Sequence, residues 1–167
     1  MSTASNLIVS NTGPLIALDA CNQLDLLRSL YDRVVVPEEV ERELARGGGT
    51  ALPSGLTAAH RAWIEVLPLS NPPSPWLLTR LDAGEAAVIT LALEVSSAIV
   101  LMDERRGVKV ARDEGLNAVG SVGILMLAKS KGLLTEIRPH LYNMHSSGIR
   151  LSARLIEWAI IQSGETP

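Results

Sequence analysis

Asp103 follows directly on the apolar run Ala98-Ile99-Val100-Leu101-Met102, so its carboxylate is expected at the rigid exit of a buried strand. Oxygen ligands for hard divalent cations are commonly held this way. Glu104 comes next, and an earlier apolar run, Leu7 to Ser10, exits into Asn11 and Thr12. Two further acids belong to helices that start near strand ends. Glu43 follows Val40 by three positions and precedes Leu44, so it borders a buried stripe, with Glu39 one turn earlier on nearly the same face. Glu85 stands beside Ala86, Ala87 and Val88 at the start of an apolar helix. Acids gathered at one rim would bind a divalent ion. Each also has an ordinary structural use: Asp103 as a helix cap, Glu43 on a solvated face, Glu85 as a first-turn acid beside the positive helix end. Thr12 and Ser121, small hydroxyls at strand exits, can hydrogen-bond a phosphate or a metal-bound water, or stabilise a turn. Arg105, Arg106, Lys109 and Arg112 form a basic stretch beside Asp103 suited to phosphate contacts, to which Arg150 and Arg154 add unless they lie on a solvated helix face.

The elements that must position these residues follow from periodicity. Leu7 to Ser10 reads as a strand, Asn11-Thr12-Gly13-Pro14 as a turn, and Leu15 to Leu30 as helical spacing. Val34-Val35-Val36 is a β-branched run, and Pro37 suits the first turn of a helix whose early acids Glu38, Glu39 and Glu41 favour its positive end. Gly47-Gly48-Gly49 closes that helix. Thr57 caps a short helix through His60 and Trp63, before a strand over Ile64 to Leu67. Pro68 to Pro75, with four of the nine prolines, is a surface connection. A helix from Gly84, a buried strand from Ala98 to Met102, a helix from Arg105 to Glu114 stopped by Gly115, a strand from Leu116 to Val119 and a helix from Val122 to Lys131 follow. Helices near Thr135 to Met144 and Ser152 to Gln162 complete the chain.

Strands apolar throughout, alternating with helices, predict a doubly wound three-layer α/β/α fold with a central parallel sheet and right-handed crossovers. Ligands bind in such sheets beyond the carboxyl ends of the strands, where strand order reverses. The 167 residues read as one domain, a core over 7–134 followed by C-terminal helices over 135–163. A hydrophobic share of 47% with 20% charged residues excludes a disordered chain. Aromatics at 3% argue against modules built on aromatic base-stacking platforms. The single Cys21 has no disulfide or zinc partner and points to a reducing compartment. No run is apolar enough to span a membrane, and Met1 to Asn6 has no basic region followed by an apolar one, so the expected location is the cytoplasm. A net charge of −3 means that polyanion binding requires a local basic patch or bound cations.

Taken in order, four blocks resemble the PIN domain family. Ile8-Val9-Ser10-Asn11-Thr12-Gly13-Pro14-Leu15-Ile16-Ala17-Leu18 looks like its first strand and turn, and Val36-Pro37-Glu38-Glu39-Val40-Glu41-Arg42-Glu43-Leu44 like its second strand and helix. Gly84-Glu85-Ala86-Ala87-Val88-Ile89 and Leu101-Met102-Asp103-Glu104-Arg105-Arg106-Gly107 resemble the later acidic blocks, and Gly120-Ser121-Val122-Gly123-Ile124-Leu125 the small-residue turn after them. The likeness runs from about Leu7 to Leu134 and is nearest to a PIN-like branch related to VapC toxins. It implies Glu43, Glu85 and Asp103 as the catalytic, Mg²⁺- or Mn²⁺-binding acids of a ribonuclease, with Asn11 as a fourth ligand. It also implies a cognate antitoxin protein and a homodimer as partners. Glu104 or Asp82 would orient the attacking water.

Asn11 departs from the family's pattern, replacing the acid of the first strand with a neutral amide. An amide oxygen is still a hard ligand, so the site is weakened and not excluded. The alternative reading is a PIN-fold module that binds RNA or protein without turnover. Other users of doubly wound sheets fit less well. A phosphatase needs an Asp-x-Asp turn and a dinucleotide enzyme a glycine-rich turn after the first strand, and Asn11-Thr12-Gly13-Pro14 is neither. The C-terminal helix, with Leu155, Ile156, Trp158, Ile160 and Ile161, is apolar nearly all round, which implies burial in the domain or at a subunit interface.

Overall fold

The computed structural model describes residues 6–46, 56–97 and 99–167. Its strands are β1 Leu7–Ser10, β2 Arg33–Pro37, β3 Ile64–Leu67, β4 Ile99–Leu101 and β5 Asn117–Val119. All pair in parallel in the order β3-β2-β1-β4-β5. The chain builds outward from β1 to one edge and then resumes on the other side, so strand order reverses between β1 and β4. Ser10 pairs with Leu101, and Leu101 with Val119. The exits of these strands, Asn11, Met102-Asp103 and Gly120-Ser121, therefore emerge along one edge.

The helices are α1 Thr12–Ala20, α2 Leu26–Leu30, α3 Glu38–Ala45, α4 Ala58–Arg61, α5 Pro75–Leu78, α6 Ala83–Glu94, α7 Arg105–Asp113, α8 Ser121–Ser130, α9 Arg138–Ser146 and α10 Ala153–Gln162. They cover the sheet in the three-layer α/β/α arrangement. Ile8, Val9, Val35, Val36, Val100 and Leu101 are completely buried, which is why the inner strands read as unbroken apolar runs. Each such side chain contributes roughly 1.5–3 kcal/mol by leaving water. α6 packs on β1, β2, β4 and α3, and its residues Gly84 to Ile89 are all buried. The small side chains of Ala86 and Ala87 let this helix lie close to the sheet, and the same packing fixes the direction of its first turn.

Several local expectations change. Asn11-Thr12-Gly13-Pro14 is not a free turn: Asn11 is an extended N-cap and α1 starts at Thr12. Pro14 is tolerated because a first-turn N–H has no partner within the helix. The helical spacing to Leu30 is divided after Ala20, where Cys21 ends α1 and Asn22 adopts a left-handed φ of 57°. Pro37 is the last residue of β2 and the N-cap of α3, because its fixed φ is equally compatible with extended backbone. Trp63 lies beyond α4, and the helix expected from Thr135 starts at Arg138 with Pro139 in its first turn. Gly47-Gly48-Gly49 and Ala98 lie outside the described residues. No described helix is long and apolar enough to cross a membrane. Burial pushes the Cys21 thiol up to about 11, which leaves it inert.

Candidate functional site

Three carboxylates are held at the switch-point edge by three different devices. Asn11 carries the chain from β1 into α1, and its backbone N–H donates to the Leu101 carbonyl at 2.9 Å, tying this exit to β4. Its side chain makes no capping hydrogen bond although it occupies an N-cap, so the amide is not committed to the helix. The next residue, Thr12, donates its hydroxyl to Glu43 Oε2 at 2.6 Å, joining the start of α1 to α3. Glu43 in turn lies over the first turn of α6. A Cβ on Gly84 would overlap Glu43 Oε1 and stand 3.0 Å from its Cδ, so only glycine admits the carboxylate there. Glu39 does not join this group; it pairs with Arg42 on its own helix.

Glu85, one residue on, closes a capping box. Asp82 is the N-cap of α6 and accepts from the Glu85 N–H at 2.8 Å, while Glu85 Oε2 accepts from the Asp82 N–H at 3.2 Å. Glu85 as a whole is 7% exposed, and its Oε1 lies 3.5 Å from where a Cβ on Gly107, in the first turn of α7, would stand. Asp103 is fixed from the other side. Its Oδ1 accepts from the Ser121 N–H at 2.7 Å and its Oδ2 from the Ser121 hydroxyl at 2.9 Å. Asp103 thus does cap a helix, but α8 across the edge rather than the adjacent α7. Gly120 permits this contact, since a Cβ there would come within 2.7 Å of Asp103 Oδ1. Glu104 is the N-cap of α7, is exposed, and makes no capping bond.

These carboxylates sit in poor company for negative charge. Burial pushes the Glu85 carboxyl above its ordinary value; the Asp82 backbone hydrogen bond opposes this, and the charges of Asp82, Glu104 and Glu43 push it further. Asp103 is also raised, first by loss of solvation and then by Glu104, against the two hydrogen bonds from Ser121. Asp103 is exposed on the open side of the edge. Glu104 therefore acts on both Glu85 and Asp103, and Glu43 on Glu85. A divalent cation would relieve this repulsion.

The donors are carboxylate and amide oxygens, which suit Mg²⁺ or Mn²⁺ and not a thiophilic metal. Among the described residues, no three Asp, Glu, His or Cys side chains converge tightly enough to form a ligand cage by themselves. The three-carboxylate trap expected from the sequence is thus an edge of neighbouring acids. That arrangement fits Mg²⁺, which keeps several waters and takes one or two protein carboxylates directly. Glu43 and Glu85 flank Gly84, and Asn11 and Asp103 leave adjacent strands, so direct and water-mediated ligands are both available.

Thr12 and Ser121, expected to contact a phosphate or a water, instead donate their hydroxyls to Glu43 and Asp103 here. Arg105, Arg106, Lys109 and Arg112 lie exposed on α7, immediately after Asp103 and Glu104, with Lys109 paired to Asp113 at 3.0 Å. Arg150 and Arg154 are elsewhere, on the α9–α10 connection and on α10. Sequence reasoning missed Gly84 and Gly120. The signal was present, since each glycine directly precedes a residue singled out by type, Glu85 or Ser121.

Fold and site together define an α/β domain with an acidic rim at the switch point of a parallel sheet. The chain belongs to the PIN domain family described as DUF3368, whose model matches residues 7–165, nearly the whole length. PIN domains have a nuclease-type fold. No curated protein and no solved structure matches the chain.

Proposed function

We propose that this protein is a Mg²⁺- or Mn²⁺-dependent endoribonuclease that hydrolyses RNA phosphodiester bonds at the edge formed by Asn11, Glu43, Glu85 and Asp103. The observation that carries the reading is the mutual crowding of Glu43, Glu85 and Glu104 beside Asp103, in a chain of the PIN family. Such crowding costs stability and is expected where charge is kept for a ligand. Asn11, Glu43, Glu85 and Asp103 would hold the ion, which when bound supplies polarisation of the phosphoryl oxygen and a lowered pKa for water. Thr12 and Ser121 keep Glu43 and Asp103 in place. Glu104, or the Asp82 oxygen not used in the capping box, orients a water for in-line attack on phosphorus, and the bond to the ribose oxygen breaks. Arg105, Arg106, Lys109 and Arg112 contact the flanking phosphates.

By its likeness to VapC toxins, the protein acts in the cytoplasm as the toxin of a toxin–antitoxin pair, restrained by an antitoxin protein. Tyr142, Trp158 and Ile161, each about half exposed on α9 and α10, support a homodimer. Sedimentation showing only monomer at micromolar concentration removes the dimer. The nuclease assignment is tested by incubating RNA with the protein in Mg²⁺ or Mn²⁺, in EDTA, and with Asp103→Asn. Metal-dependent cleavage lost in the variant is expected; equal cleavage by both proteins removes the assignment.

One observation favours a second reading. The neutral Asn11 occupies the centre of the edge, which suits a module that binds RNA or protein without turnover. Calorimetry separates the two: if the protein takes up no Mn²⁺ and Asn11→Asp gains uptake, the binding-module reading holds.

A further inference from the structure

Trp76 is 42% exposed, on a short helix whose hold on the domain is Leu77 and Leu81. In a chain with three tryptophans and no phenylalanine, leaving an indole in the open is costly. The ring is not loose. The Arg80 guanidinium lies over it at 4.4 Å from the centroid, and is itself steadied by hydrogen bonds to the Trp76 carbonyl at 3.5 Å and Thr79 Oγ1 at 3.3 Å. Thr79 donates to the same carbonyl at 2.8 Å. Among the described residues Arg80 has no carboxylate partner. Backbone hydrogen bonds from the Leu78, Thr79, Arg80 and Leu81 N–H groups close the turn after this helix, and Trp76 stands six residues before Asp82, the α6 cap. A half-open indole with a cation that has no carboxylate partner among the described residues thus precedes, by six residues, the capping box that holds Glu85.

We propose that Trp76 and Arg80 form a binding subsite for single-stranded RNA, with an unpaired base stacked on the indole and Arg80 on the adjoining phosphate. This rests on the ribonuclease reading and adds to it a base-binding subsite outside the acidic edge. With Arg80 over one face, Trp76 still keeps 42% of its surface exposed, and it is this open surface that a base would take. The acidic edge alone repels a strand, so a neighbouring unpaired cation is where a phosphate is best received. A duplex keeps its bases stacked inside and gains nothing here. The low aromatic content excludes a platform of several rings, not one.

The test is fluorescence anisotropy of a labelled single-stranded oligonucleotide in Mg²⁺, at a temperature where cleavage is slow, with cleavage of the same strand followed separately. Trp76→Ala is expected to weaken binding by about 5- to 150-fold, the range for one base–aromatic stack, with Trp76→Tyr restoring most of it. Arg80→Ala is expected to lower the slope of log affinity against log salt by about 0.7, one phosphate on a single strand. An oligonucleotide abasic at the stacked position should bind protein and Trp76→Ala equally. Unchanged binding by Trp76→Ala, with cleavage intact in both, overturns the subsite and leaves the nuclease reading standing. So does an equal loss on intact and abasic strands, or a Trp76→Ala effect confined to a protein partner. If the unaltered protein neither binds nor cleaves RNA, both proposals fall together.

Discussion

Glu85 and Glu165 both turn a carboxylate onto backbone N–H groups at the start of a helix, and they are held in opposite electrostatic company. Glu165, in the C-terminal tail, accepts from the Lys129 ammonium at 2.8 Å, the Ile137 N–H at 2.7 Å and the Arg138 N–H at 3.1 Å, at the start of α9. Burial pushes its carboxyl up, but these donors and the Lys129 charge outweigh it and hold the group below its ordinary value. Glu85 has one backbone donor and three acidic neighbours, and is raised. A carboxylate kept for stability is surrounded by donors. One surrounded by acids weakens the fold until something positive arrives, so under the proposed function Glu165 is a structural acid and Glu85 a functional one.

The largest effect expected on the functional side is the loss of cleavage in Asp103→Asn. The amide can still accept from the Ser121 N–H and donate to its hydroxyl, so the edge keeps its shape while a charge disappears. Metal-dependent hydrolysis should fall on the order of 100-fold or more, while the melting temperature stays level or rises. A variant that melts much earlier would place Asp103 with Glu165 among the structural acids.

On the structural side, Glu165→Gln leaves one carbonyl oxygen for three donors. The side chains of Lys129 and Glu165 are only 22% and 11% exposed, so the orphaned groups are poorly solvated. A loss of about 2 kcal/mol is expected, equivalent to a melting temperature lower by about 4–8 °C, with cleavage per folded molecule unchanged. Because the folded-state value is depressed, this contribution is present above the unfolded carboxyl's 4.5 and fades as pH falls through the folded one. Differential scanning calorimetry at pH 7 and pH 3 checks both statements.

Gly84→Ala sharpens the contrast by separating stability from site geometry. Alanine in place of a helical glycine adds up to about 1 kcal/mol of helix propensity. Here the new methyl would displace the Glu43 carboxylate, which is the free end of a flexible side chain and able to move. The variant should be as stable as the parent or slightly more so, and cleave roughly tenfold more slowly, since displacing a positioned group by an ångström is expensive. A slower, less stable protein would mean that Glu43 supports the fold.

Much of this division was legible in the sequence, unevenly. β1 and β3 have the bounds that their apolar runs announce, and the parallel sheet follows from strands buried on both faces. Asn11-Thr12-Gly13-Pro14 misled because the residues that make turns also begin helices, and only the position of α1 against the sheet decides between them. Asp103 stands out in the sequence at a strand exit, and Glu43 and Glu85 on helices that begin near it. Their holders were not all visible, because Thr12 and Glu43 are 31 residues apart and Asp103 and Ser121 are 18 apart, distances that only the tertiary fold closes. Glu165 escaped notice for the same reason: its donors Lys129 and Ile137 lie 36 and 28 residues upstream. The Trp76–Arg80 pair needs no tertiary contact. It was overlooked because the prolines before it marked the region as a connection.

The smallest effect is the most discriminating. Glu85→Gln retains an acceptor for the Asp82 N–H, so the capping box survives, and removes one charge from the crowd. With the folded-state carboxyl raised, no penalty exists when both states are protonated, at pH below the ordinary 4.5. It grows as pH rises through that value and is complete above the folded one. In EDTA at pH 7 the variant should therefore melt above the parent by about 2–4 °C, a gain of up to about 1 kcal/mol, and the two should coincide at pH 3. A fixed millimolar Mn²⁺ concentration should stabilise the parent more than the variant, because the variant keeps Glu43 and Asp103 but offers the ion a neutral amide in place of the Glu85 carboxylate. A variant that is less stable than the parent at pH 7 without metal would show that Glu85 is, like Glu165, an acid the fold depends on, and the distinction between the two carboxylates would fail.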